Sequence, residues 1–256
     1  MFPPELVAFS HHLADLARAE TLPRFKARVA AENKARAGYD PVTEADREAE
    51  RVMRAAIEAE HPDHGIAGEE FGARAGTSRW SWSLDPIDGT RAFVCGLPSW
   101  TTLIALLDEG VPVAGIIDAP VLGERAVGLG DRAWVNAVAV RTSGCGVLGE
   151  ARLSTTDPTL FAPDEAEGWN RVRRAARVTR FGLDAYAYLR LAAGDLDLVV
   201  ESGLKAHDWQ ALVPVVEGAG GFVCDWKGGR DLAPGRIVAA ASERLAEEAV
   251  GLLRSS

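Results

Sequence analysis

The run Asp85-Pro86-Ile87-Asp88-Gly89-Thr90 constrains this chain more than any other feature. Ahead of it, the alternating Trp80-Ser81-Trp82-Ser83-Leu84 predicts a strand, and Thr90 falls where a helix would begin. Two carboxylates therefore stand at the carboxyl end of a strand, three residues apart, on a sharp turn. Strand, turn and helix start together expose backbone N–H groups that suit a phosphate. Two aspartates beside such a dianion repel it unless divalent cations lie between them, because a bound cation inverts the local charge logic. Asp-Pro and Asp-Gly are also common turn dipeptides, and the run taken alone needs no function. With further acids elsewhere in the chain, the same run carries the signature of a metal-dependent phosphoryl-transfer site.

At 256 residues the chain has room for one large domain or two modest ones. Apolar content of 47% and charged content of 25% are those of an ordinary soluble protein. The longest apolar stretches, residues 101–107 and 111–117, are too short to cross a bilayer. Near the start, Glu5 and Asp15 flank a short amphipathic pattern in place of a basic region and apolar core, so no secretory signal is expected. Cys95, Cys145 and Cys224 are widely spaced, which predicts a reduced, cytoplasmic compartment and argues against disulfides or a thiolate zinc site. A net charge of −9 disfavours nucleic acid as a partner. One basic cluster exists, Arg171, Arg173, Arg174, Arg177 and Arg180, whose spacing predicts Arg173, Arg177 and Arg180 on one solvated helix face.

Leu6, Phe9, Leu13 and Leu16 recur at helical steps, and that helix is expected to stop around residues 38–41. A second helix runs from Thr43 to about Glu60 with Val52, Met53, Ala56 and Ile57 toward a core. Strands follow at 65–68, 80–84, 101–107, 111–118 and 125–129, and Asp108-Glu109-Gly110 makes a hairpin. Residues 1–140 thus read as an α+β domain with an antiparallel sheet. The Gly- and Ser-rich stretch 141–149 reads as a joint. Beyond it, strands at 153–155, 196–200, 221–225 and 237–240 alternate with helices at 164–176, 184–193, 209–218 and 242–253, so residues 141–256 read as an α/β domain.

More acids join the first motif. Glu69 in Gly68-Glu69-Glu70 follows a short strand, Asp46 sits three residues after Thr43, and Asp208 in His207-Asp208-Trp209 precedes a predicted helix. Alone, these would be a solvated turn, a capping box and a helix cap. Together, in this order, they resemble the inositol monophosphatase family of magnesium-dependent, lithium-sensitive phosphatases, from about Asp40 to Trp226. The resemblance implies an α/β layered αβαβα sandwich of the inositol monophosphatase and fructose-1,6-bisphosphatase type. It implies two or three Mg²⁺ per site: Glu69, Asp85 and the Ile87 carbonyl on a first, Asp85, Asp88 and Asp208 on a second, with Glu69 serving a third. Oxygen ligands suit that hard ion. The N–H groups of Gly89 and Thr90 match phosphate contacts, and Thr90 with Asp46 matches the pair that orients and deprotonates the attacking water. A small-molecule phosphate ester as substrate, no nucleic-acid or membrane partner, and a homodimer are also implied.

The substrate signal lies elsewhere. Arg91 stands where inositol phosphatases have a neutral residue, and Gly182-Leu183-Asp184-Ala185 with Glu201-Ser202-Gly203-Leu204-Lys205-Ala206-His207-Asp208 look most like histidinol-phosphate phosphatases of the family. Histidinol phosphate carries an ammonium and a titratable imidazole. Asp184 and Glu201 would supply the charge it needs, whereas a neutral polyol would leave a carboxylate desolvated. Asp184 also reads as the N-cap of the helix that follows, and Glu201 has a role in both subfamilies. His207 occupies the place of the family's usual Trp before the metal-binding Asp, and Gly182-Leu183 replaces Gly-Ser. His61 and His64 have metal-like spacing, but Pro62 between them predicts a loop. The alternatives are an inositol-1-phosphatase, a bisphosphate nucleotidase, or a catalytically silent regulator; the complete ligand set and Thr90 argue against the last.

Overall fold

In the computed structural model, residues 4–27, 31–33 and 41–254 are described. The first part of the chain forms α1 (Pro4–Arg24), β1 (Glu32–Asn33), β2 (Pro41–Val42), α2 (Glu44–Glu60), β3 (Gly65–Gly68), β4 (Gly72–Arg74), β5 (Trp80–Asp88), α3 (Thr90–Val94), β6 (Thr101–Asp108), β7 (Val111–Ala119), β8 (Glu124–Leu129), β9 (Arg132–Val135) and β10 (Val138–Val140). Then come β11 (Arg152–Thr155), α4 (Pro163–Ala175), β12 (Val178–Phe181), α5 (Tyr186–Ala192), β13 (Leu198–Glu201), α6 (Ala206–Trp209), α7 (Leu212–Gly218), β14 (Phe222–Asp225), β15 (Ile237–Ala240) and α8 (Glu243–Arg254). Among the described residues these strands make a small β1–β2 pair and two large sheets, ordered β10-β9-β8-β7-β6-β5-β3-β4 and β12-β11-β13-β15-β14.

The period of two along β6 shows how the layers arise. Ile104 and Leu106 point into a core shared with α1 and α2, while Leu103, Ala105 and Leu107 point into a core shared with α5, α7 and the second sheet. The second sheet divides in the same way. Val199 and Ala239 face inward, whereas Leu198, Val200 and Val238 pack beneath Trp169 of α4 and Leu245 of α8. The result is five layers, αβαβα, with each sheet buried on both faces. Helix α7 rests directly on backbone: a Cβ at Gly115 would lie 2.0 Å from the Ala211 carbonyl, and one at Gly128 would lie 2.1 Å from that of Pro214. That close approach fixes where α6, immediately before α7, meets the first sheet. On the outer side, Phe9 packs edge-on to the buried Trp82 at 5.6 Å. Burying each such large side chain contributes about 2 kcal/mol.

Several expectations are corrected. The opening helix ends at Arg24, just after Pro23, well before residues 38–41, of which 38–40 lie outside the described residues. The first sheet is mixed, since β3 runs parallel to β5. Helix α4 ends at Ala175, and Arg180 lies in edge strand β12, so Arg173, Arg177 and Arg180 share no helix face. The β-branched Val178 and Thr179 favour extension there, and the edge position lets Arg180 reach solvent. The helix expected at 209–218 is divided into α6 and α7, and Asp208 lies inside the short α6, ahead of α7. Asp184 does not cap α5: it adopts φ 49°, and Ala185 takes the cap position. Strands β1, β2, β4, β9, β10 and β12 were not expected from the sequence.

Candidate active site

A regular strand points residues 85 and 88 to opposite faces, because their separation is odd. Here Asp85 pairs with Leu103 and Asp88 with Thr101, so three steps along β5 oppose two along β6. This bulge, between Asp85 and Asp88, turns both carboxylates to the same side. Thr102 holds it by donating from Oγ1 to the Pro86 carbonyl at 2.8 Å. Beside it, Gly68 of β3 pairs with Leu84, and the Glu69 N–H donates to the Leu84 carbonyl at 3.2 Å, which sets Glu69 next to Asp85. From the other half of the chain, α6 brings in Asp208, whose Oδ2 accepts from the Lys205 N–H at 2.6 Å.

Carboxylate oxygens of Asp85, Asp88 and Asp208 lie within 4.8 Å of one another. Burial, and after it the charges of Glu69, Asp88 and Asp208, push the Asp85 carboxyl well above its usual range. Burial and the charges of Asp184 and Asp208 do the same to Asp88. Asp85 is only 2% exposed, and its Oδ1 has no hydrogen-bond partner among the described residues. An oxygen-only, self-repelling cluster with an orphaned buried acceptor is a poor resting arrangement for carboxylates alone, and it fits a hard divalent cation such as Mg²⁺.

Around this cluster Glu69, Asp85, Ile87, Asp88, Gly89, Thr90, Arg91, Asp184, Glu201, Lys205 and Asp208 line one cleft of about 330 Å³. A larger groove of about 630 Å³, between β14 and α8, shares no residue with it. Asp46 is the one expected site residue outside the lining, and it stands directly behind Thr90. The Thr90 Oγ1 lies 2.9 Å from the Ile87 carbonyl and 3.4 Å from Asp46 Oδ1. The other Asp46 oxygen closes the capping box, accepting from the Thr43 N–H at 2.8 Å and from its hydroxyl at 2.6 Å. Burial raises the Asp46 carboxyl while the two Thr43 donors oppose that shift.

Gly89 has φ 81°, and a Cβ there would sit 3.0 Å from Asp184 Oδ2, so a side chain would be both strained and obstructed. The left-handed turn at Gly182 and Asp184 does two things. It lays the Asp184 carboxylate over Gly89, and it aims the Ala185 N–H at Asp88 Oδ2, 2.7 Å away. Burial raises Asp184 to about 6, with Arg91 opposing. Arg91 is half-exposed on the rim, 3.9 Å from Asp157. Glu201, at the end of β13, is buried and pushed up to about 7 by that burial, against three donated hydrogen bonds from Thr155 and Thr156.

His207 is no ligand of the cluster; its Nε2 lies 3.3 Å from Asp208 Oδ1 without hydrogen-bond geometry. His61 and His64 stack on each other at 4.6 Å, and His64 Nδ1 accepts from the Trp82 indole at 3.1 Å, which makes them part of the core edge. Sequence reasoning missed Glu50. Buried on α2 and paired with Arg54 at 2.7 Å, it accepts from the N–H groups of Glu70 at 2.7 Å and Phe71 at 3.2 Å, and so holds the Glu69 turn. The signal was present: Asp46, Glu50 and Arg54 repeat every four along one side of α2, the first two of them buried.

The layered fold, with an acidic oxygen cluster where strand ends meet helix starts, defines a phosphatase-type α/β protein built around an acidic cleft. This chain belongs to the inositol monophosphatase family, whose model matches residues 4–256. The family consists of metal-dependent phosphatases that usually take Mg²⁺. The chain is 48% identical over 195 residues to the chloroplastic bifunctional phosphatase IMPL2 of Arabidopsis thaliana, covering 75% of this chain but only 56% of that longer protein. It is 34% identical over 261 residues to a histidinol-phosphatase of Streptomyces coelicolor, covering 95% of each. Among solved structures, an inositol monophosphatase from Zymomonas mobilis superposes with a TM-score of 0.88 at 41% identity over 98% of both chains. No described helix is long and apolar enough to cross a membrane.

Proposed function

We propose that the chain is a Mg²⁺-dependent phosphomonoesterase that hydrolyses L-histidinol phosphate to L-histidinol and phosphate, a step of histidine biosynthesis. The observation that carries this reading is the Asp184 carboxylate, half-buried in the cleft over Gly89, with a second acid, Glu201, in the same cleft. A cationic alcohol neutralises Asp184 and a polyol does not; Glu201, which has a role with either ester, adds charge to the same cleft. Relatives named histidinol-phosphatase support the same direction. With Cys95, Cys145 and Cys224 all free thiols, the reading includes a reducing, cytosolic setting.

In this reading Glu69, Asp85, Asp88, Asp208 and the Ile87 carbonyl hold the cations, two or three per site. Bound there, Mg²⁺ would neutralise the phosphate and lower the pKa of the attacking water. Thr90 orients that water and Asp46 accepts its proton through the Thr90 hydroxyl, a relay that the 3.4 Å Thr90–Asp46 contact supports once the hydroxyl turns from the Ile87 carbonyl. The N–H groups of Gly89 and Thr90 hold phosphate oxygens, and the α3 start leaves them without a side-chain cap. Asp184 and Glu201 take the ammonium and imidazolium ends, and Arg91 borders the entry.

The test is phosphate release from L-histidinol phosphate, inositol 1-phosphate and adenosine 3′,5′-bisphosphate, with and without Mg²⁺. Preference for histidinol phosphate is expected, and Asp184→Asn should lower its kcat/KM by about tenfold or more. Preference for the inositol ester defeats the substrate assignment. No hydrolysis of any ester with Mg²⁺ defeats the enzyme reading and leaves a silent regulator.

A further inference from the structure

We infer that Thr156 is a positioning residue for substrate recognition: it clamps the Glu201 carboxylate so that one oxygen, Oε2, is left to receive the cationic end of the substrate. This rests on the histidinol-phosphate reading above. Strands β11 and β13 are parallel neighbours, with Leu153 beside Leu198 and Ser154 beside Val199. Continued by two residues, that register brings Thr156 level with Glu201 at the carboxyl ends of the two strands, where α/β sheets open their binding crevices. Glu201 Oε1 accepts two hydrogen bonds from Thr156, from N–H at 2.7 Å and from Oγ1 at 2.9 Å. Glu201 Oε2 accepts one, from Thr155 Oγ1 at 3.1 Å. Each carboxylate oxygen has two acceptor directions, so Oε1 is filled and Oε2 keeps one.

The backbone under this carboxylate is also fastened. The Trp226 indole donates to the Glu201 carbonyl at 3.1 Å, and the next residue, Ser202, donates from Oγ to the buried Glu165 at 2.7 Å. Thr156 and Glu201 both line the cleft, so the hydroxyl–carboxylate contact sits at its wall and not in the deep core. A carboxylate held by donors from two strands presents its free lone pair in one direction, which is what distinguishing a cation from a neutral hydroxyl requires. A merely structural role would instead have Thr156 satisfy a buried acceptor, with equal consequences for every substrate.

Thr156→Val removes the Oγ1 donor and keeps the N–H donor. The readout is the ratio of kcat/KM for L-histidinol phosphate to that for p-nitrophenyl phosphate, which has no cationic end. In Thr156→Val this ratio should fall about tenfold, mainly through KM, and Thr156→Ser should restore it to within about twofold. In a Glu201→Gln background, adding Thr156→Val should change the ratio by less than about twofold, because the residue acts through Glu201. Equal losses on both substrates, failure of Thr156→Ser to restore the ratio, or an undiminished effect in Glu201→Gln would overturn the inference while leaving the substrate assignment standing. A wild-type enzyme that favours inositol 1-phosphate removes the assignment itself, and this inference with it.

Discussion

Replacing Asp85 by Asn should stabilise the metal-free protein and abolish most of its stabilisation by Mg²⁺, so that the order of the two proteins reverses. Asp85 is buried, one of its oxygens is unpartnered, and it faces Glu69, Asp88 and Asp208. An orphaned buried acceptor costs about 1–3 kcal/mol, more when charged. Asn has the same shape, removes one charge from the cluster and can donate to its acidic neighbours. In chelator, Asp85→Asn should therefore be about 2 kcal/mol more stable, a Tm higher by roughly 4–8 °C for a chain of this size. Saturation with Mg²⁺ at about 100 times Kd should add about 2.7 kcal/mol to the wild type, or roughly 5–10 °C. The variant, lacking a ligand common to the expected cation positions, should gain little. Differential scanning calorimetry in chelator and in Mg²⁺ measures all four values. A variant less stable than wild type in chelator, or equal Mg²⁺ gains in both proteins, would refute the reasoning.

Asp46→Asn should lower kcat for histidinol phosphate by about a hundredfold or more while keeping the Mg²⁺-dependent rise in Tm; an unchanged rate in steady-state assays removes Asp46 from the chemistry. Asp197→Asn should destabilise the second sheet by about 2 kcal/mol at neutral pH, since Asp197 is buried and accepts from Arg152 Nε and N at 2.7 Å and from Ser143. Burial pushes that carboxyl up, but the Arg152 and Ser143 donors outweigh it and the net value is below normal. A group depressed in the folded state stabilises above its unfolded value and loses that contribution as pH falls through the folded one. The gap between wild type and Asp197→Asn in urea denaturation should accordingly shrink only below the ordinary carboxylate range.

What was legible in the sequence was local chemistry. Glu109 at φ 50° and Gly110 at φ 83° make the tight two-residue hairpin turn that Asp108-Glu109-Gly110 announced, and Thr43 with Asp46 forms the capping box. The β9–β10 hairpin went unseen because its turn, Asn136-Ala137, takes positive φ without a glycine; the Asn136 side chain ties it instead to Gly123 and Arg125. Strand β12 was hidden by arginines that an edge strand can expose as readily as a helix can. At the site, the acids were readable from their motifs, but their convergence depends on a bulge between Asp85 and Asp88, whose side and extent Pro86 does not fix, and on a parallel β3–β5 pairing that no local residue announces. Asp184 read equally well as a cap; only its left-handed backbone turns it over Gly89.

In the proposed function, acids from both halves of the chain close around a divalent cation. Anomalous diffraction from crystals soaked in Mn²⁺, an oxygen-seeking substitute for Mg²⁺, tests it directly. The expected result is a peak bounded by Asp85, Asp88 and Asp208, with Glu69 at its side. No peak there under saturating Mn²⁺, or a peak elsewhere that ignores these carboxylates, would contradict it.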